Sequence, residues 1–191
     1  MAALKFWTWL TTLPGLSSRS RLLLLEHFQS PEDIYYADTE ELLLAEGMTR
    51  AQAEQAVQAG IDAVARMKAR GYQLIATGEM GIGNTTASTA MACALLRCSP
   101  EDITGRGAGL SDAGLQRKKA AIQRALSIHH PNADDALDAL AKVGGFEIAG
   151  MVGIFLGGLR HHLPIVIDGV ISAVAALTAV RIDPASKSAM L

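Results

Sequence analysis

Residue types that can bind an anion occur together in the stretch ATGEMGIGNTTA. Gly78 and Gly83 are separated by four residues and Thr85 follows them, which is the glycine and hydroxyl spacing of a phosphate-binding loop. Asn84 stands where such a loop carries the lysine that reaches the terminal phosphates of a nucleoside triphosphate. Gly81 and Gly83 let a ligand approach the backbone closely, and Asn84 and Thr85 can donate hydrogen bonds. The stretch therefore predicts a site for a single phosphate, with a glycine turn packed against a sheet as the structural alternative.

Two carboxylates, Glu79 and Asp168, each follow an apolar segment that is typical of a buried strand. Open parallel sheets bind ligands beyond the carboxyl ends of their strands, so both side chains are expected at one ligand-binding edge. There they could hold ribose hydroxyl groups or accept a proton from a nitrogen base. The alternative for Asp168 is that it caps the helix that begins after it.

Positive charge for this edge can come from Arg106 and Lys118. Arg106 lies in a second glycine-rich loop, TGRGAG, and Lys118 lies in the helix that follows it. The pattern of that helix places Leu115, Ile122 and Leu126 inside, with a charged outer face formed by Arg117, Lys118, Lys119 and Arg124. Either cation could supply the charge that Asn84 does not.

The elements that must position these residues follow from the hydrophobic pattern. Residues 1–50 are predicted to form short helices, with Ser30 and Pro31 starting one helix and a further helix over 40–45. Residues 51–191 alternate between helix and strand, which indicates an α/β fold with a parallel sheet covered by helices on both faces. The predicted strands are 72–76 and 163–167, and the predicted helices are 51–70, 85–97, one that begins at 111–112, 134–143, 147–159 and 171–180.

Composition narrows the class of protein. Hydrophobic residues make up 50% of the 191 residues and the mean hydropathy is +0.23, which suits a packed core. The net charge of −2 does not favour binding to nucleic acid, and no apolar run is long and unbroken enough to span a membrane. Cys93 and Cys98 are expected to be core thiols of a cytoplasmic protein. The histidine pairs at 129–130 and 161–162 lack metal-ligand spacing, so no metal or cofactor is expected.

Four blocks of the sequence together resemble one family. In chain order they are GEMGIGNTTAS, TGRGAGLSDAGLQRKKAAI, KVGGFEIAGM and PIVIDGVISAVAAL. They are similar to nicotinate-nucleotide–dimethylbenzimidazole phosphoribosyltransferase, over about residue 50 to the C-terminus. The resemblance implies transfer of phosphoribose from nicotinate mononucleotide to 5,6-dimethylbenzimidazole, with α-ribazole 5′-phosphate and nicotinate as products. That substrate carries one phosphate, in keeping with a loop that has no lysine.

The resemblance also assigns roles to residues. It implies that Glu79 is catalytic, that Lys118 lies at the nucleotide and base site, and that Asp168 lies near the ribose. The remaining substrate-binding positions that it implies are Met80, Gly81, Gly83, Asn84, Thr85, Arg106 and Gly107. The family fold is a Rossmann-type sheet with a small helical domain, and the family works as a homodimer.

This chain departs from the family pattern at both ends. Family members continue beyond Leu191, and the glutamate taken as their general base lies in that part, so the chain as given is expected to be a weak catalyst. Residues 1–50 instead resemble the helical domain of the bacterial DNA-processing protein of natural transformation. The LPGL turn before a helix is typical of a helix-hairpin-helix, which makes DNA binding the alternative function. The net charge of −3 over residues 1–50 argues against that alternative.

Overall fold

The computed structural model describes residues 2–14, 18–28, 30–37, 47–81, 83–107 and 109–191. Helices dominate this part of the chain, and the two strands are short. In chain order the elements are α1 Ala2–Thr12, α2 Ser18–His27, α3 Pro31–Tyr36, α4 Arg50–Ala69, β1 Ile75–Ala76, α5 Thr85–Leu96, α6 Pro100–Ile103, α7 Asp112–His129, α8 Ala136–Val143, α9 Phe146–Arg160, β2 Ile165–Val166, α10 Gly169–Ile182 and a 3-10 helix Pro184–Ala189.

The three N-terminal helices share a small core of their own, formed by Leu10, Leu24, Phe28 and Ile34. Helix α3 begins as the sequence predicts, because Ser30 is its N-cap and accepts a hydrogen bond from the Asp33 amide at 3.2 Å. The predicted helix over 40–45 and the end of the LPGL turn lie outside the described residues. Helix α2 packs against α7, which joins this group of helices to the rest of the protein.

The main core is built around helices α4 and α9, which pack closely along their lengths. Thr49 and Gln52 form a reciprocal capping box that starts α4. Glycines allow the two helix backbones to touch, because a Cβ on Gly60 would meet the carbonyl oxygen of Gly150 and a Cβ on Gly153 would meet that of Val57. Helix α9 also contacts the strand Ile165–Val166, so it lies between α4 and the sheet.

The sheet consists of β1 and β2, which pair in parallel with Ile75 opposite Ile165. Strand β2 is bonded on its other side as well, since the Leu191 amide donates to the Ile165 carbonyl at 2.9 Å. The predicted parallel pairing is thus confirmed. A wider sheet covered on both faces is not seen among the described residues.

The strands are shorter than the sequence predicts. Tyr72 and Leu74 were expected in a buried strand, but their side chains are about half exposed, and β1 is bonded on one side only within the described part of the chain. The helices lie closer to their predicted positions. Helix α10 begins two residues before its predicted start, and α8 begins two residues after its own. Helical periodicity spans many residues, whereas a two-residue strand depends on a neighbour that is distant in sequence.

No helix in the described segments is long and apolar enough to cross a membrane. Cys93 is buried and Cys98 half-buried, and both are free thiols. Burial, followed by the neighbouring Cys98, raises the pKa of the Cys93 thiol to about 12. This thiol is therefore an unreactive core group, as predicted.

Candidate functional site

Several of the predicted site residues meet at the carboxyl ends of the two strands. The loop after β1 begins at Gly78, and the loop after β2 carries Asp168. A Cβ on Gly78 would lie 3.5 Å from Oδ2 of Asp168, so the two loops touch. Parallel pairing of β1 with β2 brings Glu79 and Asp168 to the same edge, as the sequence predicts.

A buried lysine lies beneath the two glycine-rich loops. Lys118 is 6% exposed, and its Nζ donates a hydrogen bond of 2.6 Å to Oγ1 of Thr85. Thr85 is the first residue of α5. The second loop covers this pair, because a Cβ on Gly107 would lie 3.3 Å from Thr85 Oγ1 and 3.7 Å from Lys118 Nζ. A cation, a hydroxyl group and a helix N-terminus therefore meet, which is a favourable arrangement for an anion.

The position of Lys118 corrects one expectation from the helical pattern. Lys118 does not lie on the charged outer face of α7 with its neighbours, since α7 turns this position toward α5. Lys119 does point outward, and its Nζ pairs with Glu101 at 2.6 Å. A hydrophobicity pattern assigns any lysine to the solvent side, so it cannot identify one that is buried next to a hydroxyl group.

Glycine backbone conformations shape both loops. Gly81 and Gly83 have φ of 79° and Gly107 has φ of 55°, a region that other residues rarely adopt. A Cβ on Gly81 would also lie 3.3 Å from Thr85 Cγ2, so the first loop rests directly on the start of α5. The glycines are therefore needed both for the turns and for the close approach of the loops.

The Glu79 carboxylate folds back onto its own loop. Its Oε2 accepts a hydrogen bond of 2.7 Å from the Gly81 amide. This bond, followed by one from the Asn84 side chain, lowers the pKa of Glu79 below its ordinary value. Glu79 is exposed and ionised, which makes it a source of fixed negative charge at the edge of the site.

Asn84 occupies the N-cap position of α5 without making a side-chain cap bond. It is 7% exposed, and its Oδ1 has no hydrogen-bond partner among the described residues. The amide groups at the N-terminus of α5 are therefore not capped by the Asn84 side chain.

Asp168 also lacks a cap bond, since it occupies the N-cap position of α10 and makes no side-chain cap bond there. The capping alternative for Asp168 is thus not supported.

Two other predicted positions face solvent. Arg106 closes the second loop upon itself, donating to the Leu110 carbonyl at 2.9 Å and pairing with Asp112 at 2.5 Å. Met80 projects from the first loop and is 85% exposed. The guanidinium group of Arg106 is thus directed to its own loop and the helix that follows, and Met80 is directed to solvent.

Thr77 and Ser172 belong to the same edge but were not predicted. Thr77 directly precedes the first loop, and Ser172 lies in the first turn of α10. Their hydroxyl groups are hydrogen-bonded to each other, and both residues are buried. No spacing rule marks a single threonine and a single serine that are far apart in sequence. Among the described residues, no group of three or more histidine, cysteine, aspartate or glutamate side chains is placed to hold a metal ion.

Comparisons with known proteins identify the family of this chain. A family model described as phosphoribosyltransferase matches residues 29–191. The nicotinate-nucleotide–dimethylbenzimidazole phosphoribosyltransferase of Roseiflexus castenholzii is 50% identical over 149 residues, which are 78% of this chain and 42% of that protein. The protein of the same name from Alkaliphilus metalliredigens is 46% identical over 153 residues, covering 80% of this chain and 44% of its own.

A solved structure gives the same result. The crystal structure of CobT from Thermus thermophilus superimposes with a TM-score of 0.72 at 43% identity, over 78% of this chain and 45% of that one. The match covers less than half the length of the Roseiflexus and Alkaliphilus proteins. The family resemblance inferred from the four sequence blocks is confirmed, and the alternative of a DNA-binding protein is not supported.

Proposed function

Because this chain belongs to the phosphoribosyltransferase family whose model matches residues 29–191, we propose that it forms part of the site of such an enzyme. The reaction is the transfer of phosphoribose from nicotinate mononucleotide to 5,6-dimethylbenzimidazole, giving α-ribazole 5′-phosphate and nicotinate. It belongs to the synthesis of the lower ligand of cobalamin. The names of the relatives support this substrate pair.

The observation that carries the proposal is the buried contact between Lys118 Nζ and Thr85 Oγ1, at 2.6 Å beneath Gly107. A phosphate at the N-terminus of α5 would lie beside the Lys118 ammonium group and the Thr85 hydroxyl group, so the cation and the helix end would both attract it. One cation with one helix end suits a single phosphate better than a triphosphate.

The chemistry requires one bond to form and one to break. A ring nitrogen of the incoming base attacks C1′ of the ribose, and the bond from C1′ to the nicotinate nitrogen breaks, with its electron pair returning to that nitrogen. The other ring nitrogen of the base loses its proton. Such glycosyl transfers develop positive charge on the sugar, so nearby carboxylates lower the barrier.

Glu79 and Asp168 are the proposed carboxylates. Glu79 is held ionised by the hydrogen bonds from Gly81 and Asn84, so it is suited to stabilise positive charge at C1′. The same bonds make it a weaker base, and general-base help is worth about 10²–10⁴-fold in such reactions. Asp168 is free of a cap bond and lies beside Gly78, where it can accept hydrogen bonds from ribose hydroxyl groups.

The other parts of the proposal concern the remaining loops and the whole protein. Arg106 could turn from Asp112 to the phosphate at small cost, because exposed ion pairs contribute only about 0–1 kcal/mol. Gly81, Gly83 and Asn84 would line the phosphate, and Met80 would flank the bases.

The proposal also includes the fold and assembly of the whole protein. Hydrogen bonds on both sides of β2 support a Rossmann-like sheet. We further propose a homodimer in the cytoplasm, where Cys93 and Cys98 stay reduced.

Calorimetry on the full chain tests the proposal. Nicotinate mononucleotide should bind more tightly than ATP. Lys118→Met should weaken the nucleotide about 10- to 100-fold, since hydrogen bonds to charged groups contribute about 1.5–3 kcal/mol. Lys119→Met is the matched control, because the neighbouring lysine pairs with Glu101 and should leave affinity unchanged. Tighter binding of ATP would instead favour a nucleotide hydrolase.

A further inference from the structure

Thr77 links three elements at the edge of the site. Its amide donates to the Val166 carbonyl at 3.0 Å, and its hydroxyl group donates to the same carbonyl at 2.9 Å. A hydroxyl group has one proton, so the bond between Thr77 and Ser172 must be donated by Ser172. Thr77 therefore connects β1, β2 and the first turn of α10.

The environment of this pair makes the bond hard to replace. Thr77 is 5% exposed and Ser172 is 0% exposed, so water does not compete for either hydroxyl group. A helical serine often bonds the carbonyl four residues back in its own helix, but Ser172 bonds across to Thr77. A buried donor that loses its partner carries the full cost of desolvation.

The neighbours of the pair are the two loops of the proposed site. Thr77 is followed directly by Gly78 and Glu79, and Ser172 lies four residues after Asp168. The contact of Gly78 with Asp168 shows that these loops approach each other at this point. The hydroxyl pair is thus placed to fix the spacing between the phosphate loop and the ribose carboxylate.

We propose that Thr77 and Ser172 are positioning residues that hold the loop at Gly78–Gly81 in register with the loop at Asp168, an inference that rests on the proposed function of this edge. Neither hydroxyl group need touch the substrate. A nucleotide spans both loops, since its phosphate lies on one and its ribose on the other. Inorganic phosphate does not need the loop at Asp168.

This difference between ligands gives the test. Thr77→Val and Ser172→Ala in the full chain should each weaken nicotinate mononucleotide about five- to tenfold, the size expected for one hydrogen bond, while inorganic phosphate changes by less than about twofold. Thr77→Ser, which keeps the hydroxyl group, should restore the ratio of the two affinities. Thr178→Val is the matched control, because this buried hydroxyl group on α10 bonds the Val174 carbonyl within its own helix.

Equal weakening of both ligands in folded variants, or no change in either, would overturn the proposal. Amide hydrogen exchange provides a second measurement that needs no ligand. Thr77→Val should accelerate exchange at residues 78–81 and 169–171 together, and acceleration of only one loop would also overturn it. If the unmodified chain does not bind the nucleotide, the proposed function fails, and the exchange result still decides whether Thr77 and Ser172 hold the loops together.

Discussion

The imidazole ring of His27 stacks on that of His129, with ring centroids 5.9 Å apart and planes inclined by 24°. His27 ends α2 and His129 ends α7, so the contact joins the N-terminal helices to the main core. His27 is 2% exposed, and neither of its ring nitrogens has a hydrogen-bond partner among the described residues. Burial, then the nearby His129 and Arg124, lower the pKa of His27 to about 4.

This contact predicts a loss of stability in mild acid. The ordinary pKa of 6.5 applies to the unfolded chain, so between pH 6.5 and about 4 the unfolded chain binds a proton that the folded one does not. The free energy of unfolding should therefore fall as pH decreases through this window, by on the order of 3 kcal/mol in all. Both tryptophans, Trp7 and Trp9, lie in α1, so tryptophan fluorescence in urea reports on the N-terminal helices.

His27→Phe provides the comparison, since it keeps a ring in the stack and cannot be protonated. Its unfolding midpoint should depend less on pH between 6.5 and 4 than that of the unmodified chain. His161→Gln, at the end of α9, controls for the removal of a histidine elsewhere and should keep the original dependence. An unchanged slope in His27→Phe would mean that His27 is not the group that titrates.

The glycine contact between α4 and α9 predicts a large effect from one methyl group. Gly153→Ala should lower the free energy of unfolding by about 2–3 kcal/mol, because its Cβ would overlap the Val57 carbonyl and force the helices apart. Gly150→Ala, one turn earlier in α9, has open space around its Cβ and should raise stability by about 0.5–1 kcal/mol. Urea unfolding followed by circular dichroism distinguishes the two, and similar values would contradict the close packing.

The opposite effects expected at Gly150 and Gly153 also illustrate the limits of sequence analysis. Helical periodicity placed α9 within one residue at each end, because that signal is local and repeated. Which glycine in the helix touches another backbone depends on the crossing of α4 and α9, which no local pattern encodes. The same holds for Tyr72 and Leu74, whose apolar character predicts burial that only a second neighbouring strand could provide.

The candidate site was predictable where it depends on short motifs. The glycine spacing identified the first loop, and the end of an apolar segment identified Asp168. The burial of Lys118 depends on how α7 packs on α5, so the predicted position of Lys118 on the outer face of the helix was wrong. Thr77 and Ser172 lie 95 residues apart, and only the fold brings their hydroxyl groups together.

The fixed charge of Glu79 leads to the last prediction. Its carboxylate lies in the loop that would hold the phosphate, and its lowered pKa keeps it ionised at pH 7, so it repels a bound anion. Glu79→Gln keeps an oxygen that can accept the Gly81 amide but removes the charge, and it should tighten inorganic phosphate about two- to fivefold in calorimetry at low ionic strength. The gain should shrink as salt is added, because screening acts over about 10 Å at 0.1 M. Glu54→Gln is the control and should have a smaller effect, because the Glu54 carboxylate pairs with Arg50 at the start of α4.

The same Glu79→Gln substitution should slow formation of α-ribazole 5′-phosphate, since a carboxylate that opposes phosphate binding is useful only if it stabilises positive charge on the ribose. Weaker phosphate binding in Glu79→Gln would show that the carboxylate orders the loop and does not face the anion.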